Sequence, residues 1–165
     1  MAEPLSSVQL FQVYTSIWQN IQREDGNVNA RIGWALSITS GQLAAIAFIT
    51  PAAFNPVSTL EGSLVIAGAV WLLSMIGIYF CYRTHIGVDA AHQQIDYLRS
   101  RYGKYADEFE QNMCLPKPFG HAAGNQPGRK SSRVYPLALL TLWSMIAIAS
   151  TIGIVWTVSR LAARV

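Results

Sequence analysis

SLVIAGAVWLLSMIGIYFCY, residues 63–82, decides the fold: it holds no acid or base and is closed by Arg83. About 20 apolar residues, wound as a helix, cross the ~30 Å hydrocarbon core of a bilayer, so this run reads as a membrane helix. Working upstream, Glu61 is the one acid or base between Arg31 and Arg83, and an apolar stretch fills 32–49 before Pro51 and Pro56. Working downstream, no acid or base lies between Arg133 and Arg160, and Tyr135-Pro136 opens a third run that carries Trp143 and Trp156. The whole composition agrees. Hydrophobic residues make up 52% of the chain and charged residues 13%, about half the share usual in soluble domains.

The expected architecture is all-α, an integral membrane protein with three transmembrane helices. An amphipathic helix and hinge cover 1–30, membrane helices 31–50, 63–83 and 134–159, and an external loop 51–62. A cytoplasmic helical extension of the second span and a Pro/Gly-rich loop cover 84–133, and a short tail covers 160–165. Residues 1–30 hold no apolar core of the signal-peptide kind, so the first span is expected to serve as its own insertion signal. The 51–62 loop carries no Lys or Arg, whereas 83–133 carries eight against five acids. That contrast puts the N-terminus and the long loop in the cytoplasm, at a bacterial inner membrane. Arg160 and Arg164 run against the same rule.

At the N-terminus, Ser6 and Gln9 have the spacing of a capping box. Leu10, Tyr14, Ile17 and Ile21 follow at four-three-four intervals, with Phe11 and Trp18 beside them. Gly26 weakens the helix, and Asn27 or Asn29 can restart it, which predicts a hinge over 23–34. In the first span Gly33, Ser37, Gly41 and Ala45 recur every four residues. Small residues at that interval let two helix backbones approach closely in lipid, either within one chain or between chains. Ser40 and Gln42 add polar groups that favour a protein partner over lipid.

Beyond Arg83 the polar segment carries its own pattern. Val88, Ala91, Ile95, Leu98, Tyr102, Tyr105 and Phe109 alternate at three and four, a heptad-like stripe that predicts a helix continuing out of the second span. The stripe needs a cover, either the N-terminal amphipathic helix or the same stripe of another copy. Its aromatic residues and Gly103 argue against a long regular coiled coil. His85, Asp89 and His92 share a face of the same helix, with Asp96 next in line. Two imidazoles and a carboxylate at helical spacing can bind a divalent metal; equally, they can be a solvated face or a pH-responsive one. Cys81 and Cys114 have no metal-ligand spacing and read as free thiols. The GRKSSR run at 128–133 is the basic flank that membrane helices commonly rest on anionic headgroups.

Three segments carry a resemblance: DGNVNARIGWAL (25–36), GVDAAHQQIDYL (87–98), and PKPFG (116–120) followed by YPLALLTLW (135–143). In their order the chain resembles a group of small bacterial multi-span membrane proteins with no assigned activity, which implies no functional residue. It is more loosely similar to the octameric membrane proteins of the RipA type, which also place a cytoplasmic helical domain beside few spans. The third span here has no counterpart in that likeness.

Nucleotide, nucleophile-elbow, zincin and dinucleotide motifs are absent from the sequence, and the spans hold no charged residue that could carry protons. A basic stripe fit for nucleic acid is also lacking. No enzyme and no cofactor is expected. The expected function is that of an oligomeric inner-membrane protein, a pore or membrane effector gated by its cytoplasmic helices. The alternative is an adaptor or scaffold that recruits a soluble partner through the 85–110 helix.

Overall fold

The computed structural model describes residues 6–53, 59–116, 118 and 127–163. Helix α1 spans Ser7–Ala53 and α2 Leu60–Tyr102; a 3-10 turn at Gly103–Tyr105 leads into α3, Ala106–Met113, and α4 spans Pro127–Ala162. No strand occurs among the described residues. Three helical stretches, within Ser7–Ala53, Leu60–Tyr105 and Ser131–Ala162, are long and apolar enough to cross a membrane.

Local chemistry explains the helix ends. At the start of α1 the Ser6 N–H donates to Gln9 Oε1 at 3.0 Å, and the Gln9 N–H donates to Ser6 Oγ at 3.3 Å. This is the reciprocal box that the S-x-x-Q spacing predicts. The hinge expected over 23–34 is not there, because α1 runs through it unbroken. One glycine inside a helix costs about 1 kcal/mol relative to alanine. Neighbours offset that cost: Val28 is buried, and Arg31 donates from Nη1 to the carbonyl of Gly87.

The other boundaries shift as well. α1 keeps Pro51 in its last turn and continues to Ala53, so 51–53, expected as loop, are helical; Pro56 lies outside the described residues. α2 begins at Leu60 rather than 63, with Thr59 Oγ1 accepting the Gly62 N–H at 3.1 Å. α4 begins at Pro127, so 127–133, expected as loop, is helical and Pro136 lies inside the helix. Proline suits the first turn of a helix, where its missing N–H has no intrahelical acceptor.

The chain divides into two compact units, Met1–Arg31 with Ile86–Arg133 and Ile32–His85 with Val134–Val165. The first, the polar unit, has a core of Leu10, Ile17, Leu98 and Phe109, with Tyr14, Tyr102, Tyr105 and Met113 packed on it. The Tyr14 and Phe109 rings meet edge to face, centroids 5.2 Å apart at 74°. The apolar stripe of α2 and α3 is thus covered by the N-terminal helix, one of the two covers that the pattern allows. Val88, Ala91, Leu98 and Phe109 are buried, while Ile95, Tyr102 and Tyr105 are half-buried. Each such aliphatic or aromatic side chain stabilises by about 1.5–3 kcal/mol when fully buried. Gly103 interrupts α2, and α3 resumes the stripe with Asp107 and Glu108 in its first turn, where the helix dipole favours acids.

In the second, the apolar unit, the buried positions of α4 are Pro136, Trp143, Ala147, Ser150 and Thr157, at intervals of seven, four, three and seven residues. That repeat is the mark of helices packed with a shallow left-handed crossing.

Candidate helix-packing site

The seam inside the apolar unit is built from small and polar side chains around one large one. Trp143 is 0% exposed, and its indole N–H donates to Thr39 Oγ1 at 3.3 Å. The buried Cys81 thiol shares the Thr39 hydroxyl. Gly77 leaves the space for the ring: a Cβ built there would overlap Cδ2, Cε2 and Cγ of the indole. Ala35, Ser74, Ala147, Ser150 and Thr157 are also buried. Helices close on one another in this way when the contacting residues are small, and dispersion replaces the hydrophobic effect as the packing force in lipid.

Most hydroxyls of this unit are satisfied within their own helix. Thr50, Ser74, Thr141, Ser144, Ser150, Thr151, Thr157 and Ser159 each donate to the carbonyl four residues earlier, at 2.6 to 2.9 Å. Gln42 points inward as well, donating from Nε2 to the Leu73 carbonyl at 3.2 Å.

The expected packing ridge faces the other way. Gly33, Ser37, Gly41 and Ala45 are all exposed, and so is Ser40. A Cβ built on Gly33 or on Gly41 would meet nothing within 4 Å. The hydroxyls of Ser37 and Ser40 make no hydrogen bond among the described residues. Sequence reasoning thus found a run of small residues but not the seam the chain itself uses, which lies on Ala35 and Thr39 of the same helix. The available signal was Trp143, a tryptophan in mid-span and far from the ends where tryptophan usually sits.

In the polar unit, three contacts tie the helices together next to their apolar stretches. Besides the Arg31 bond to Gly87, the Arg133 Nε lies 2.8 Å from Asp89 Oδ1, and the Ser132 Oγ lies 3.3 Å from the buried His92 Nε2. These contacts engage two of the three residues of the metal reading. Asp89 is neutralised by an arginine and His92 is engaged by a serine, so neither stands ready as a ligand. Among the described residues, His85 included, no group of three His, Cys, Asp or Glu is arranged to hold a metal ion. Cys81 and Cys114 are free thiols, and Cys114 closes α3 in the left-handed region at φ 51°.

The polar unit also has a cleft of about 410 Å³, with Val13, Ile17, Leu98 and Tyr102 beside the polar Gln9, Gln12, Ser16 and Asn20. Phe11 and Trp18 are exposed on the same helix. Compared with family models, with curated proteins and with solved structures, the chain finds no match.

Proposed function

We propose that this chain is an integral membrane protein whose copies assemble through the outward face of α1, forming a pore or membrane effector controlled by the polar unit. The contrast in loop charge supports a cytoplasmic N-terminus and a cytoplasmic 84–133 segment. The observation that carries the reading is the pair Ser37 and Ser40. They stand exposed, their hydroxyls without a hydrogen bond among the described residues, on a face of glycine and alanine in an apolar helix. Lipid tails offer a hydroxyl no partner, whereas a second helix seated on small residues brings both close packing and hydrogen bonds.

The test is particle mass in lipid discs. The wild-type chain is expected to run as a defined oligomer and Gly41→Leu as a monomer with unchanged helicity, and ion flux from loaded vesicles is expected to vanish with the oligomer. A wild-type monomer would sink the assembly. An oligomer that never passes ions would leave the assembly standing and remove the pore.

A second reading, the adaptor, is favoured by the aromatic pair on the polar unit. Tyr102 and Tyr105 belong to its core, so the surface offered to a soluble partner is that of Phe11 and Trp18. Isolated aromatic side chains in water are common, but aromatic anchors also dominate protein interfaces. A stoichiometric partner retained in mild detergent and lost in Phe11→Glu with Trp18→Glu is expected on this reading.

A further inference from the structure

We infer that the surface of the apolar unit is matched to a bilayer hydrocarbon layer about 30 Å thick, bounded at one side by the level of Trp34, Tyr82 and Tyr135 and at the other by Trp156. The inference rests on the membrane insertion proposed above and adds where the lipid begins and ends.

Three contacts set the helices in register. Trp143 meets Thr39 of α1 and Gly77 of α2, and Gln42 meets Leu73 one turn further along, so α2 runs opposite to α1. From the Trp143 level, Trp34 and Tyr82 lie about 8 Å and Tyr135 about 12 Å toward one end, at 1.5 Å per residue. All three are exposed, Trp34 by 71%. Toward the other end, Ala53 lies about 21 Å and Trp156 about 20 Å from that level, and Glu61 and Arg160 lie about 24 and 26 Å from it. The Trp156 ring is 56% exposed, and the Arg160 guanidinium sits over it at 4.5 Å.

Each helix then gives the thickness separately. Trp34 to Ala53 on α1, Gly62 to Tyr82 on α2 and Tyr135 to Trp156 on α4 measure about 29, 30 and 32 Å by the same rise. A bilayer core is about 30 Å. Between these limits most outward side chains are apolar, among them Leu72, Ile76, Met145, Ile148 and Ile152; the exposed Ser37 and Ser40 belong to the face proposed for assembly, and no acid or base occurs. Tryptophan and tyrosine prefer the headgroup level, where an apolar ring can keep a polar edge wet, and an arginine just beyond extends its charge into water. The match of three lengths with the aromatic ends selects a lipid surface as the occupant of this face over a soluble protein. Glu61 and Arg160 fall at one depth, outside the hydrocarbon, so Arg160 sits among headgroups despite breaking the loop-charge rule.

The experiment places nitroxide labels on the full chain in dioleoylphosphatidylcholine vesicles, one at a time, at Trp34→Cys, Met145→Cys and Trp156→Cys, with Cys114→Ser throughout. Met145, 66% exposed, lies midway between Tyr135 and Trp156 on α4. Accessibility to oxygen relative to a water-soluble nickel complex is expected to be several-fold higher at Met145 than at the two tryptophan positions, which should report similar shallow depths. Labels at exposed Val134 and Val155 repeat the two ends without removing a tryptophan. A deep label at Trp156 or a shallow one at Met145, with the chain still resisting a carbonate wash, would overturn the register alone. Water-exposed labels at every position, with the chain washed off by carbonate, would overturn the insertion itself.

Discussion

Gly77→Leu is expected to disrupt the apolar unit, lowering its stability by at least the ~3 kcal/mol at the upper end of overpacking costs in well-packed cores. The reason is geometric. The indole of Trp143 occupies the place where any side chain at position 77 would begin, and Trp143 is itself held by its bond to Thr39. The overlap falls on ring carbons of a fully buried residue, so a flexible side chain cannot swing aside to relieve it. Thermal unfolding in detergent micelles, followed by the near-ultraviolet circular dichroism of tryptophan, reads the effect directly. The double variant Gly77→Leu with Trp143→Ala should regain much of the loss, because the new side chain enters the space the ring vacates. Removing the acceptor instead, in Thr39→Val, keeps the volume and should cost far less, about 0.6 kcal/mol per hydrogen bond lost by the average for such bonds between membrane helices. A midpoint unchanged in Gly77→Leu would mean that Trp143 is not the centre of the seam.

Phe109→Ala should have the largest effect in the polar unit. Phe109 is 0% exposed and joins α3 to α1 through Tyr14 and the Leu10, Ile17 and Leu98 core. Deleting a buried phenylalanine ring typically costs about 3–5 kcal/mol, and the edge-to-face pair with Tyr14 adds to the loss. Leu10 and Ile17 share this core, so the penalty should appear as local opening of 7–22. Hydrogen exchange is expected to accelerate in 7–22 and 97–113 while amides in 137–158 keep their protection. Equal protection in variant and wild type over 7–22 would show that the N-terminal helix does not depend on this core.

The features legible in the sequence are those set by one helix at a time. Charge-free runs gave the apolar segments, and three-four spacing gave the stripe from Val88 to Phe109. Ser6 and Gln9 gave the start of α1. What stayed hidden depends on a second helix. Gly26 looks like a break until Val28 and Arg31 find partners on the neighbouring helix, because a local cost of about 1 kcal/mol is small beside burial and a hydrogen bond. The four-residue ridge from Gly33 to Ala45 and the seam of Ala35 and Thr39 are equally rich in small residues, and composition cannot say which faces inward. Gly77 and Trp143 are far apart in sequence, and neither has a pattern that announces the other. The His85, Asp89 and His92 column carried no sign that Arg133 and Ser132 would reach it from another helix.

The uncharged interior of the apolar unit has an electrical consequence. Moving one elementary charge through a membrane potential does about 2.3 kcal/mol of work per 100 mV. Between Ile32 and Ala53, and again between Val134 and Ser159, the chain has no ionised side chain for such a field to act on. Glu61 and Arg83 border the corresponding run of α2. With the helices inserted as proposed, a polarised and a depolarised membrane exert nearly the same force on them. If the protein switches between states, the free energy for the change must come from ligands, partners or lipids, and its activity should be the same on both sides of a voltage step.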